Sequence, residues 1–132
     1  MIKEFSLKTT QREAFIDITG EVEDVIKASG ARSGICTIFV PHTTAAVTIN
    51  ENADPGVISD IIKAMKKMVP ETLSYAHAEG NSPAHVKATL VGASETVFIK
   101  DGSLHLGRWQ GIYFCEFDGP RSRRVSVNVI IE

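Results

Sequence analysis

The sequence predicts an α+β fold: a mixed or antiparallel sheet of about eight short strands with two or three helices, in a single compact domain over residues 1–132. Alternating and β-branched apolar runs of strand length recur along the chain. Other segments instead carry apolar residues at helical spacing. The strands cluster after the last helix, which favours α+β over a doubly wound sheet. A chain of 132 residues has the size of one domain, and its sequence shows no linker.

In the first 50 residues the pattern predicts four strands and one helix. Val22, Val25 and Ile26 recur at helical spacing. Thr19 is a suitable N-cap for that helix, and Gly30 is a suitable end. The strands are predicted at residues 2–9, 14–18, 34–40 and 44–50.

The second part of the chain begins with two helices that share one start signal. Asp-Pro at 54–55 and Ser-Pro at 82–83 each combine an N-cap residue with a proline at the first helical position. These helices should end near Val69 and near residues 90–91. The Lys-Asp-Gly run at 100–102 predicts a tight hairpin turn. The later strands are predicted at residues 96–99, 103–106, 110–117 and 123–131.

The composition narrows the classes of function. The apolar share is 43%, the charged share is 23% and the formal net charge is -2, so the chain lacks the basic field of a general nucleic-acid binder. No segment has the apolar length of a membrane span or of a signal peptide, which predicts a cytoplasmic protein without a membrane partner. Cys36 and Cys115 lie in apolar strand-like runs and should be buried, reduced thiols.

Three histidines are candidate metal ligands. His42 follows a predicted central strand, His77 precedes a Glu-Gly-Asn turn, and His85 lies in the first turn of a helix. Three imidazoles with an open fourth position form a familiar catalytic zinc arrangement. No two of these histidines share a short metal-binding motif, so isolated solvated or core histidines remain the alternative.

Polar residues on either side of the strand at 44–50 are candidates for a binding or catalytic site. Thr43 and Thr44 precede it, and Glu51 follows as a candidate acid, base or metal-site carboxylate. Turn and cap chemistry around residues 52–54 is the alternative. Trp109 and Gln110 lie in a glycine-flanked loop, where Trp109 either anchors the loop or stacks on a ligand ring.

The arginines near the C-terminus predict an anion site. Arg121 and Arg123 share the parity of Val125 and should extend the buried face beyond the end of the sheet. Guanidinium groups in that position suit a phosphate or a carboxylate. A solvated run of charge is the alternative. With the upstream histidines, these residues predict one composite polar site for an anionic substrate.

Five blocks, in order, resemble the YjbQ-like family, also described as secondary thiamine-phosphate synthases. The resemblance covers about residues 2–131. The blocks are Pro41–Ala46, Asn50–Asp54, His77–Lys87, Leu106–Ile112 and Glu116–Arg121.

The resemblance implies a small α+β domain that forms a homotrimer. It also implies a weak thiamine-phosphate synthase activity, which joins a hydroxymethylpyrimidine pyrophosphate to a thiazole phosphate. A divalent metal is expected: zinc-like on histidines, or magnesium arriving with a pyrophosphate substrate. The resemblance implies that His42, His77 and His85 are metal or site ligands, and Glu51, Gln110, Glu116 and Arg121 match polar positions of the family. Taken with the residue patterns above, the predicted site has a metal group, a catalytic group and a group that binds the phosphorylated substrate. These are His42, His77 and His85 for the metal; Glu51, Gln110 and Glu116 for catalysis; and Thr43, Thr44, Asn81, Trp109, Arg121 and Arg123 for the substrate.

Two other functions stay open. One is a metal-dependent hydrolase of a small phosphorylated compound, with Glu51 or Glu116 as the base. The other is a non-enzymatic trimer that binds a metal or a small molecule. The sequence does not decide whether the pocket lies within one subunit or between two.

Overall fold

The computed structural model describes residues 2–132, which form eight strands and three helices. Every predicted element is present, and its bounds agree to within about two residues. The strands are β1 (Ile2–Lys8), β2 (Ala14–Asp17), β3 (Gly34–Phe39), β4 (Ala45–Glu51), β5 (Ser94–Lys100), β6 (Ser103–Leu104), β7 (Gln110–Glu116) and β8 (Ser122–Ile131). The helices are α1 (Thr19–Ser29), α2 (Pro55–Met68) and α3 (Ser82–Val91).

The strands form two sheets rather than one. A five-stranded sheet has the order β1-β8-β3-β5-β6, and a three-stranded sheet has the order β2-β7-β4. All the strand pairs are antiparallel, so the antiparallel alternative of the predicted α+β fold is confirmed. The hairpin between β5 and β6 turns at Asp101 and Gly102, where both residues have positive φ.

The main core lies between the two sheets and is closed by α1. Strand alternation points Cys36 and Ile38 of β3, and Val127 of β8, into this core. Val22 and Ile26 of α1 are fully buried against it. The predicted helical stripe therefore faces the space between the sheets.

The opposite face of the three-stranded sheet is covered by helices. Ala84 and Ala88 of α3 pack with Ala46, Tyr113 and Cys115 of that sheet. The alanines let α3 approach β4 closely, and this fixes the start of α3 beside the residues that precede β4. The site described below lies at this junction.

The outer face of the five-stranded sheet remains exposed. Ile35 of β3 pairs with Ile130 of β8 and with Phe98 of β5, so the three side chains share this face. Ile2 and Ile130 are also exposed, and Phe98 is 65% exposed. We call the side chains of Ile2, Ile35, Phe98 and Ile130 the outer apolar face.

Two predicted N-caps, Asp54 for α2 and Ser82 for α3, can be compared with the structure, which agrees with the first and differs from the second. The Asp54 side chain accepts the N–H of Gly56 at 2.8 Å, so the predicted cap of α2 is confirmed. Ser82 is instead the first residue of α3, and Asn81 is its N-cap without a capping side-chain bond. Asn81 turns its side chain to Asp118 instead. Across residues 2–132, every helix falls short of the length and apolar character that a membrane span requires.

Candidate functional site

A polar cleft of about 410 Å³ lies where three connections meet. One connection leads from β3 to β4, the second leads into α3, and the third joins β7 to β8. We call it the anion cleft. It is lined by Pro41, His42, Thr43, Thr44, His77, Glu79, Asn81, His85, Arg121 and Arg123. The structure therefore brings together the three predicted histidines, the two threonines, Asn81 and both arginines.

His42 is held as a neutral imidazole by the backbone of β8. Its Nε2 accepts the N–H of Arg124 at 2.9 Å, so the ring hydrogen lies on Nδ1. Burial lowers the pKa of His42 below its usual value, and the charge of Arg123 lowers the pKa further. The ring can therefore donate a hydrogen bond from Nδ1 while it carries no charge.

This lowered pKa predicts a loss of stability in mild acid. Unfolded histidine gains a proton near pH 6.5, whereas folded His42 gains it only at lower pH. Between those values the unfolded state binds more protons, so stability falls as the pH falls. We expect urea unfolding to show a smaller drop between pH 7.5 and pH 5.5 in His42→Gln than in the wild type. Gln preserves an acceptor for the N–H of Arg124, and an identical drop in both proteins would contradict the assignment.

The floor of the anion cleft is a buried ion pair. Arg123 is only 4% exposed, and Glu116 is fully buried at 0%. Arg123 bonds both carboxylate oxygens of Glu116, with Nε at 2.9 Å from Oε1, and its Nη2 donates to Thr44 Oγ1 at 2.9 Å. Thr9 donates to the same carboxylate at 2.6 Å. The charge of Arg123 is therefore largely used within the protein.

Glu116 is a positioning residue in this arrangement. Burial raises its pKa, but the hydrogen bonds from Arg123, Thr9 and the N–H of Asp118 outweigh burial and hold the pKa below its usual range. An ionised carboxylate with these donors and no exposed surface cannot take a proton from a ligand. Glu116 lies beneath the cleft and is not among the residues that line it. A catalytic role would require contact with the ligand, so that role stays a prediction.

Arg121 forms the exposed cationic wall of the anion cleft. Its Nε donates to the backbone oxygen of Asp118 at 2.8 Å, and its Nη2 donates to the Asp118 carboxylate at 2.9 Å. Asn81 donates to the same carboxylate at 2.8 Å, which ties α3 to the β7–β8 connection. Burial raises the pKa of Asp118, but the bonds from Asn81 and Arg121 outweigh it and hold the pKa low. The Arg121 side chain is 50% exposed and can still bind a ligand.

His77 and His85 form a pair at the other side of the cleft. Their ring centroids are 5.2 Å apart, and the planes are nearly perpendicular. Glu79 Oε2 lies 3.9 Å from His77 Nε2. The pair lies at the N-terminal end of α3, where the helix dipole favours negative ligands.

Among the residues that it describes, the structure gives no support for the donor set of a metal site. Within residues 2–132, no group of three His, Cys, Asp or Glu side chains is arranged to hold a metal ion. His42 uses Nε2 for the N–H of Arg124, and its Nδ1 then carries the hydrogen, so neither nitrogen has a lone pair for a metal. A divalent metal on His42, His77 and His85 stays a prediction, as does magnesium brought by a substrate.

The other predicted residues form a second cluster at the far end of β4. Glu51, Trp109 and Gln110 line a separate cavity of about 230 Å³. Since β4 has seven residues, this cluster lies roughly 20 Å along the strand from the anion cleft. The single composite site is therefore not formed within one chain. The roles of Glu51, Trp109 and Gln110 in that site stay predictions.

Internal contacts hold this second cluster. Gln110 Oε1 accepts the N–H of Gly107 at 2.8 Å, and Glu51 Oε2 accepts the N–H of Asp54 at 3.3 Å. The Arg108 guanidinium lies 4.7 Å from the ring centroid of Trp109. The contact of Glu51 matches the alternative expectation of turn and cap chemistry around residues 52–54.

Sequence reasoning missed a buried lysine that supports the cleft. Lys87 is 2% exposed and pairs with Glu13, which also lies 3.4 Å from Lys66. Lys87 follows His85 by two residues, so this ion pair fixes the helix that carries the histidine. The sequence does carry a signal of this burial. Lys87 recurs at helical spacing with Ala84 and Ala88, on the face of α3 that should be apolar.

Comparison with known proteins defines the class. The model of the UPF0047 protein YjbQ-like family matches residues 3–132. The UPF0047 protein YugU of Bacillus subtilis is 49% identical over 98% of this chain and 99% of its own length. A UPF0047 protein of Methanocaldococcus jannaschii is 50% identical over 98% of this chain and 94% of its own. The chain belongs to the UPF0047, YjbQ-like family.

Solved structures agree with the fold. An uncharacterised YjbQ/UPF0047 protein from Clostridium acetobutylicum superimposes with a TM-score of 0.95 at 52% identity, covering 97% of this chain and 99% of its own. A protein of unknown function from Sulfolobus solfataricus gives the same TM-score, 0.95, at 35% identity over 100% of this chain and 97% of its own.

These comparisons correct the predicted activity. The relatives carry the name of a family of unknown function, and the solved neighbours are described as uncharacterised or of unknown function. None of them is described as a thiamine-phosphate synthase. The prediction of a transferase with that activity was therefore wrong, because it relied on a resemblance that establishes membership of the family and no reaction.

Proposed function

We propose that the anion cleft binds a small molecule through a phosphoryl group. The observation that carries this proposal is the lining itself: Arg121 and three imidazoles converge on one cleft, and Glu79 is its sole carboxylate. One further fact favours an anion: the cleft lies at the N-terminus of α3. The overall charge of -2 does not oppose this, because the positive charge is local.

Each group has a distinct role in this proposal. Arg121 supplies the charge-assisted hydrogen bonds that a phosphoryl group needs. His42 donates from Nδ1 as a neutral group, which avoids placing another cation beside Arg123. His85 and His77, with their rings 5.2 Å apart, supply the proton donor or acceptor for chemistry on the bound molecule. No step is assigned to a metal.

The direct test is phosphate binding with two matched variants. Arg121→Gln should weaken the binding of inorganic phosphate by roughly tenfold to a hundredfold, because it removes a charged hydrogen-bond donor. Arg124→Gln removes the same charge three residues later. The Arg124 side chain pairs with Glu4 at 3.6 Å and does not line the cleft. The Arg124→Gln variant should therefore bind phosphate with a Kd near that of the wild type. Isothermal titration calorimetry measures the Kd of phosphate for the wild type and both variants. Equal losses of affinity in the two variants would show that only the net charge of the protein matters, and this would contradict the role of Arg121.

We also propose that the chain assembles as a homotrimer through the outer apolar face. The support is that face itself: Phe98 and Ile130 are exposed on neighbouring strands of a sheet. Phe98→Glu should shift the sedimenting species from trimer to monomer. Leu90→Glu is the control, because Leu90 is equally exposed on α3, on the other side of the molecule. A monomeric wild type would overturn the assembly.

A further inference from the structure

The anion cleft continues into a second cavity with a different chemical character. This second cavity measures about 450 Å³. It shares three residues with the anion cleft: His42, Thr43 and His85. We call it the small-residue lobe, because its own wall consists of Ala45, Ala88, Thr89, Gly92 and Ala93.

The small-residue lobe offers few polar groups to a ligand. The hydroxyl of Thr89 donates to the backbone oxygen of His85 at 2.8 Å, so it is engaged within α3. The N–H of Gly92 donates to the oxygen of Ala88 at 2.9 Å, and the oxygen of Gly92 accepts from Val47 at 3.1 Å. The oxygen of Ala93 accepts from Val40 at 2.8 Å. What remains toward the lobe is mostly methyl groups and satisfied backbone.

The glycine keeps this lobe open. Gly92 ends α3 with a φ of 102°, a conformation that side chains rarely adopt. A Cβ built on it meets nothing within 4 Å. The chain therefore turns from α3 toward β5 without placing a side chain in the lobe, and the alanines on either side leave the remaining volume.

From this continuity we infer that the ligand has two parts: a phosphoryl group in the anion cleft and a compact, uncharged body in the small-residue lobe. The inference rests on the proposed function, because the binding of the phosphoryl group in the anion cleft is what directs the rest of the ligand into the small-residue lobe. Each cavity has the size of a small-ligand site, roughly 300–1,000 Å³. The substrate class is the phosphate monoester of a small uncharged alcohol.

This arrangement also places the bond that joins the two parts. His42 and His85 line both cavities, so the ester linkage lies between them. In this arrangement His85, on the first turn of α3, lies beside the ester oxygen, because it also lines both cavities.

The experiment compares two probes, inorganic phosphate and phenyl phosphate, by calorimetry. Phenyl phosphate should bind the wild type at least tenfold more tightly than phosphate does. The reason is that its phenyl ring is transferred from water into the small-residue lobe. Ala93→Leu should abolish that gain and leave the Kd of phosphate within about twofold. Ala93 is exposed, so the larger side chain can be accommodated without disturbing the core. The control is Ala28→Leu, which adds the same volume at an exposed position of α1. It should change neither the Kd of phosphate nor the Kd of phenyl phosphate.

The outcomes separate this inference from the proposed function. If phosphate binds but phenyl phosphate binds no more tightly, the two-part ligand is overturned while phosphoryl binding stands. If phenyl phosphate is favoured equally in the wild type and in Ala93→Leu, the ring lies elsewhere, which again overturns the inference. If wild-type protein binds neither probe, the proposed function fails and this inference fails with it.

Discussion

Replacing Arg123 by Met should lower the free energy of unfolding by about 3–5 kcal/mol. The substitution leaves the Glu116 carboxylate fully buried, with its charge no longer compensated, and it removes the donor to Thr44. The two hydrogen bonds that Glu116 keeps, from Thr9 and from the N–H of Asp118, do not replace a guanidinium. Urea unfolding at pH 7.5 measures the loss.

The double variant Arg123→Met with Glu116→Leu is the control. Removing both charges should recover much of the stability, because an apolar pair of similar volume avoids the cost of burying ions. A single Arg123→Met variant that loses less than about 1 kcal/mol would show that the pair is far more hydrated than its burial indicates.

Glu13→Met is the second substitution expected to have a large effect. Lys87 has little exposed surface and pairs with Glu13, so the variant leaves an ammonium group buried without a partner. We expect a loss of about 3 kcal/mol in urea unfolding, the low end for a broken buried pair, because Glu13 itself is partly exposed.

Two variants identify the cause of that loss. Lys66→Met removes the exposed partner of Glu13 and should cost less than about 1 kcal/mol. Glu13→Met combined with Lys87→Met removes both buried charges and should be more stable than Glu13→Met alone. If the double variant is instead the less stable of the two, Lys87 matters through its packing on α3 rather than through its charge.

The fold was predictable because its signals are local. Strand alternation, the helical stripe of α1 and the cap of α2 each depend on residues within a few positions of one another. The division into two sheets was not predictable. Which strands pair depends on contacts distant in sequence, such as that of β1 with β8.

The site was predictable in its residue types and only partly in its geometry. Parity correctly pointed Arg123 inward, but the inward direction led to Glu116 on β7 of the other sheet rather than to an open cleft. Glu51 and Gln110 were assigned to the same site as His42, although the length of β4 already separated them. A polar motif identifies candidate site residues, whereas strand geometry determines which of them lie close enough to share one site.

The hydrogen bond from the N–H of Arg124 to His42 has a thermodynamic consequence. Strand β8 carries Ile130 on the outer apolar face, and its backbone also fixes the neutral ring in the anion cleft. Contacts at the outer apolar face that displaced β8 would therefore also change the hydrogen bond that orients His42. Linkage makes the effect reciprocal: if association at the face changes ligand affinity by some factor, ligand must change association by the same factor.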